Sequence, residues 1–124
     1  MNLGNLNFFL IIIYLFISFS IQSKPIEGSL ATIQILDKIT ARVETIKIKI
    51  SSTYFFDPLK IEVYACYTNP PEEIPENFVL LKIFDKLNNQ NEKLIYQGWM
   101  ISSSPASSPL EHPIYDLWIK DCKI

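Results

Sequence analysis

Thr45-Ile46-Lys47-Ile48-Lys49-Ile50 sets apolar and charged residues in strict alternation. Successive side chains of a β-strand point to opposite faces, so this stretch reads as a strand with one dry face and one wet face. Lys47 and Lys49 solvate the outside and protect a sheet edge. The same period recurs on both sides of it. Upstream, Ala31-Thr32-Ile33-Gln34-Ile35-Leu36 alternates, and Asp37-Lys38-Ile39-Thr40 reads as a turn, because Asp and Thr side chains bond their own backbone. Downstream, Tyr54-Phe55-Phe56 precedes a break at Asp57-Pro58, and Leu59–Tyr67 carries Ile61, Val63 and Ala65 on one face. The prolines at 70, 71 and 75 impose an extended, polyproline-like loop ending at Glu76. Phe78–Phe84 is the next strand, Leu87–Asn91 marks a hairpin turn, and Leu94–Ile101 returns. A Ser/Pro-rich loop, Ser102–Pro113, leads to a last strand from Ile114 to Asp121.

No 3.6-residue period persists over a dozen residues of this portion. The pattern predicts an all-β class: a small β-sandwich or partly open barrel of six to seven antiparallel strands in one domain, residues 30–124, behind a linker at 24–29. The 124 residues hold 13 Asp+Glu, 11 Lys+Arg and one His, for a net charge of −2, with 48% hydrophobic residues. That balance excludes a disordered acidic tail and a basic nucleic-acid binder. Three Gly and two Cys exclude a glycine-rich nucleotide loop and a multi-cysteine zinc site. Arg42 is the only Arg, so the chain has little means of gripping phosphate in bidentate fashion.

The stretch Met1–Ser23 carries no charged side chain, and Phe8–Phe19 is almost wholly apolar. An apolar core of that length followed by small and polar residues predicts a secretory signal peptide over residues 1–23. Cleavage after Ser20 places Ser18 and Ser20 at the small-residue positions; cleavage after Ser23 puts Ile21 where a smaller side chain is preferred. The rival is an uncleaved anchor, since Leu3–Ile21 is nearly long enough for a thin bilayer. No Cys follows the apolar run, which excludes a lipid-modified cysteine there. Either route exports residues 24–124.

Outside the reducing cytoplasm, two Cys in a small domain most often form a disulfide. Joining Cys66 to Cys122 would pin the last strand. Two unpaired buried thiols or a redox pair are the other readings, the last lacking closely spaced cysteines.

Ser103 or Ser104 with His112 and Asp116 invites a hydrolase reading. The loop offers no glycine-lined elbow or helix start for an oxyanion hole, and Pro113 separates His112 from Asp116. His112 as a metal ligand lacks companions, although Glu111 and Glu72 carry oxygen donors. Glu111-His112-Pro113 reads as a loop-shaping element. Trp99, Tyr115 and Trp118 fall on strands, where aromatics usually fill the core, and a half-buried Trp118 would anchor a partner.

Gly98-Trp99-Met100-Ile101, Ser103-Ser104-Pro105-Ala106, Leu110-Glu111-His112-Pro113 and Tyr115-Asp116-Leu117-Trp118 through Cys122 resemble the C-terminal signature of a family of small exported alphaproteobacterial proteins, catalogued as domain of unknown function 2155. Leu36-Asp37-Lys38 with Thr40 and Arg42, and Ala65-Cys66-Tyr67 with Pro70-Pro71-Glu72, match its earlier blocks. The resemblance spans residues 30–123. It implies an envelope location and pairing of Cys66 with Cys122, and no activity or cofactor. The chain departs from the pattern at Ala41, where a turn glycine is expected, and at Asn69, where a basic residue is expected.

The expected function is thus an exported periplasmic envelope protein, a non-catalytic interaction or structural module stabilised by a disulfide. The candidate interaction surface is Trp99, Ser104, Pro105, Glu111, His112, Tyr115, Asp116 and Trp118. The alternatives are a small module binding an envelope glycan or lipid, and a hydrolase using His112 and Asp116. No metal, cofactor or nucleic acid is expected. The expected partner is another envelope protein, with membrane contact only through an uncleaved N-terminal segment.

Overall fold

The computed structural model describes residues 2–18, 20, 23–86 and 91–124. Among them, a helix α1 (Leu3–Phe16) precedes eight strands: β1 (Ile26–Glu27), β2 (Leu30–Asp37), β3 (Arg42–Lys49), β4 (Ser52–Phe56), β5 (Leu59–Thr68), β6 (Asn77–Asp85), β7 (Lys93–Ile101) and β8 (Tyr115–Lys123). A 3-10 turn, Pro105–Ser107, interrupts the connection from β7 to β8. The strands form two antiparallel sheets and no closed barrel. One orders β3-β2-β8; in the other, β1 and β4 both pair with β5, and β6 and β7 follow. The count exceeds the expected range because Ile26–Glu27, inside the stretch read as a linker, pairs with Thr68 and Tyr67.

Alternation becomes burial as the sequence requires. Ile46 and Ile48 of β3 face inward while Lys47 and Lys49 are exposed on the edge strand. Ile33 and Ile35 of β2 and Leu117 and Ile119 of β8 join them from the smaller sheet. Ile61, Val63, Val79, Leu81 and Ile83 meet them from the larger one, so a single core lies between the sheets. Each such side chain contributes about 1.5–3 kcal/mol of hydrophobic stabilisation. Helix α1 buries none of its residues, and the whole core lies within residues 31–122. The body from residue 24 onward therefore folds without α1.

Turn chemistry fixes the hairpins. Asp37 Oδ1 accepts hydrogen bonds from the N–H groups of Ile39 (2.8 Å) and Thr40 (3.1 Å), as its side chain predicts. These donors hold its carboxyl below the usual value. Ala41 closes that turn at φ 59°, and Ser51, where the chain passes from one sheet to the other, has φ 63°.

The proline loop departs from expectation. It is closed rather than extended: Glu73 N–H donates to the Pro70 carbonyl (3.0 Å), and Asn69 N–H to the Glu76 carbonyl (3.0 Å). Prolines at the first two positions of a tight turn satisfy its backbone angles as readily as those of a polyproline run. In the hairpin turn expected at Leu87–Asn91, residues 87–90 lie outside the described residues, as do positions 19, 21 and 22 beside the two cleavage points.

Cys66 of β5 and Cys122 of β8 form a disulfide, with Cα atoms 5.9 Å apart. The bond joins the two sheets across the core. Gly28 packs against it, and its N–H donates to the Cys66 carbonyl (2.8 Å).

Candidate functional site

Two regions gather chemistry-bearing side chains, one at each end of the body. At the end where the β2–β3 turn lies, the loop before β8 folds inward and buries His112. Its Nδ1 accepts hydrogen bonds from the N–H groups of Ile114 (3.1 Å) and Tyr115 (3.0 Å). An accepting Nδ1 leaves the ring proton on Nε2, which donates to Asp85 Oδ2 at 3.1 Å. The Lys38 ammonium donates to the His112 carbonyl at 2.5 Å. Tyr115 stacks at an angle beside the imidazole, ring centroids 5.4 Å apart, and meets Phe56 edge-on at 5.7 Å. Both imidazole nitrogens are thus engaged in holding the loop to the end of β6.

The serines lie elsewhere. Ser103 donates to the Glu76 carboxylate through its hydroxyl and through its N–H (2.9 Å), and the Ser102 hydroxyl donates to the same carboxylate at 3.0 Å. Burial alone would raise the Glu76 carboxyl; these donors outweigh it and hold the group below its ordinary value. Glu76 thereby ties the proline loop to the Ser/Pro loop. Ser104 and Pro105 are exposed, at and just inside the start of the 3-10 turn. Asp116 Oδ1 accepts from the Leu117 N–H (2.9 Å), and His112 has Asp85, not Asp116, as its carboxylate partner. His112, Asp116 and the loop serines are therefore not assembled into a relay.

Trp118 is half-buried on the outer face of the smaller sheet, its Nε1 donating to Gln34 Oε1 at 2.8 Å. Ser104 and Pro105 border the same indentation. Glu111 is exposed while His112 beside it is buried, so the imidazole presents no surface.

Trp99 belongs to the other region. It projects from the outer face of the larger sheet and is 44% exposed. Across that face Tyr67 pairs with Phe78 and Phe78 with Ile101; in the next row Leu80 pairs with Trp99. The Tyr67 and Trp99 rings stand 6.0 Å apart. With Lys24 and Pro25 they and Phe78 line an open groove of about 490 Å³. One row further the face turns charged, with Glu62, Lys82 and Gln97 aligned.

Sequence reasoning singled out Trp99 and missed its companions. Tyr67 and Phe78 occupy outward positions in strands whose alternation is legible, but their pairing with Trp99 depends on register. Asp85 escaped notice because 27 residues separate it from His112.

No solved structure matches the chain. A relative from Rickettsia prowazekii (strain Madrid E), "Uncharacterized protein RP359", is 38% identical over 87 residues, which cover 70% of this chain and 56% of that protein. The chain thus matches just over half the length of that relative. The model of a family described as "Uncharacterized protein conserved in bacteria (DUF2155)" matches residues 31–122, the segment that holds the whole core and both cysteines, and the chain belongs to that family.

Proposed function

We propose that the protein is an exported, non-catalytic interaction module of the bacterial envelope that works through the outer face of its larger sheet. The observation that carries this reading is the contrast between the two ends. His112, the one imidazole, has both nitrogens committed to holding a loop, whereas the groove beneath Trp99 is open and apolar. A disulfide across the core supports export, since such bonds persist in oxidising compartments.

Fractionation of cells expressing the full chain, with thiols alkylated before and after reduction, tests export. The expected result is protein in the envelope fraction with both cysteines blocked; cytosolic protein with free thiols overturns it. His112→Ala tests the non-catalytic part. Removing the imidazole that accepts from two backbone N–H groups and donates to Asp85 should cost about 2–4 kcal/mol and reduce cellular function only in step with abundance. Wild-type stability with lost function would instead make His112 a reacting group.

A further inference from the structure

Two of the groove's residues, Lys24 and Pro25, follow α1 in the sequence after seven residues. That helix is apolar on every side from Phe8 onward, carries Asn5 and Asn7 before that, and buries none of its residues in the protein. A helix of that kind takes a hydrocarbon environment. Its 14 residues span about 21 Å against roughly 30 Å of bilayer hydrocarbon, and no described helix is long and apolar enough to cross a membrane. A second contact with the same bilayer would add to the hold of so short a helix.

We infer that the second contact is the Trp99 groove, resting on the surface of the same bilayer that takes up α1. The inference builds on the reading of this face as the docking surface and names its partner as lipid. Seven residues, 17–23, separate the helix from Lys24, and fully extended they reach at most about 25 Å. Lys24 and Pro25 themselves line the groove, so while α1 is uncleaved a bilayer holding it lies within that tether of the groove. The lining chemistry agrees. Trp and Tyr concentrate at membrane–water interfaces, where an apolar ring with a polar edge suits both phases.

The distribution of lysines on the sheet points the same way. Lys60 lies 4.5 Å from the Phe84 ring and Lys82 lies 5.4 Å from that of Tyr64. Among the described residues no cation covers Tyr67, Phe78 or Trp99. The polar groups on this wall are few, the Tyr67 hydroxyl, the Trp99 indole N–H and the Lys24 ammonium, and the ring faces of Tyr67, Phe78 and Trp99 make up the rest of it with Pro25. With a net charge of −2 and one lysine in the groove, the rings and not charge carry the contact.

The test uses residues 24–124, which fold without α1, so that the helix cannot bind on its own account. A Trp118→Phe background leaves Trp99 as the only indole. With phosphatidylcholine vesicles the body should co-float, its emission should shift to the blue, and brominated phosphatidylcholine should quench it. The partition should vary little with salt. Replacing Trp99 and Tyr67 by Ser should weaken partition by about tenfold per ring. Ile39→Ser, a change at a more exposed apolar residue at the opposite end, should leave it unaltered. Absence of flotation and of quenching in the body with its aromatic face intact overturns the inference. So does binding that survives both replacements. A blue shift without lipid that grows with protein concentration would assign the face to a second copy and also overturn it. Export is judged separately by fractionation of the full chain, so the two readings fail by different results.

Discussion

Gly28 occupies a position with no room for a side chain. A Cβ there would lie 2.3 Å from Cys122 Sγ and 2.7 Å from the Lys123 carbonyl oxygen, and neither a bridged sulfur nor a paired backbone can give way cheaply. Gly28→Ala should therefore cost about 2–3 kcal/mol, and a thiol assay should find part of the protein with its cysteines unjoined. Ala41 shows the reverse mismatch. At φ 59° an L side chain crowds its own carbonyl, and the family resemblance already pointed to glycine there. Ala41→Gly should raise stability by about 1 kcal/mol, read as a higher urea midpoint at unchanged slope; an unmoved or lower midpoint would show the turn unstrained. The Ala41 departure was legible in sequence. The need for Gly28 was not, because the atoms it would strike come from β5 and β8.

At the scale of elements, the strands were the readable part. Alternation located all the longer strands, and turn chemistry located the hairpin at Asp37. Loop positions were legible as well, but not their mutual contacts. Glu76 and Ser103, 27 residues apart, meet because β6 and β7 are neighbours. The meeting has a pH signature. Since the folded Glu76 carboxyl lies below the ordinary 4.5, its contribution is complete above pH 4.5 and is lost as pH falls through the folded value. Thermal melts of the parent and Glu76→Gln should differ at neutral pH and converge on acidification below 4.5. A constant gap across that range would show that Glu76 acts through neutral hydrogen bonds alone.

For the molecule as a whole, the Cys66–Cys122 bond is the largest single constraint. It closes a sequence separation of 56 residues, and in the chain-entropy picture this is worth about 4 kcal/mol. Cys66→Ser with Cys122→Ser should lower Tm by more than about 15 °C; a drop of a few degrees would mean that the core alone holds the sheets together. Sequence by itself determined the all-β class, the strand positions, the apolar character of the N-terminal segment and the family, because two-residue periodicity and turn residues act over a few neighbours. Only the tertiary structure decided which carboxylate serves His112, why Gly28 has no side chain, and that Tyr67, Phe78 and Trp99 share one groove. Those outcomes depend on how strands far apart in the chain come into register, and local propensity carries no record of that.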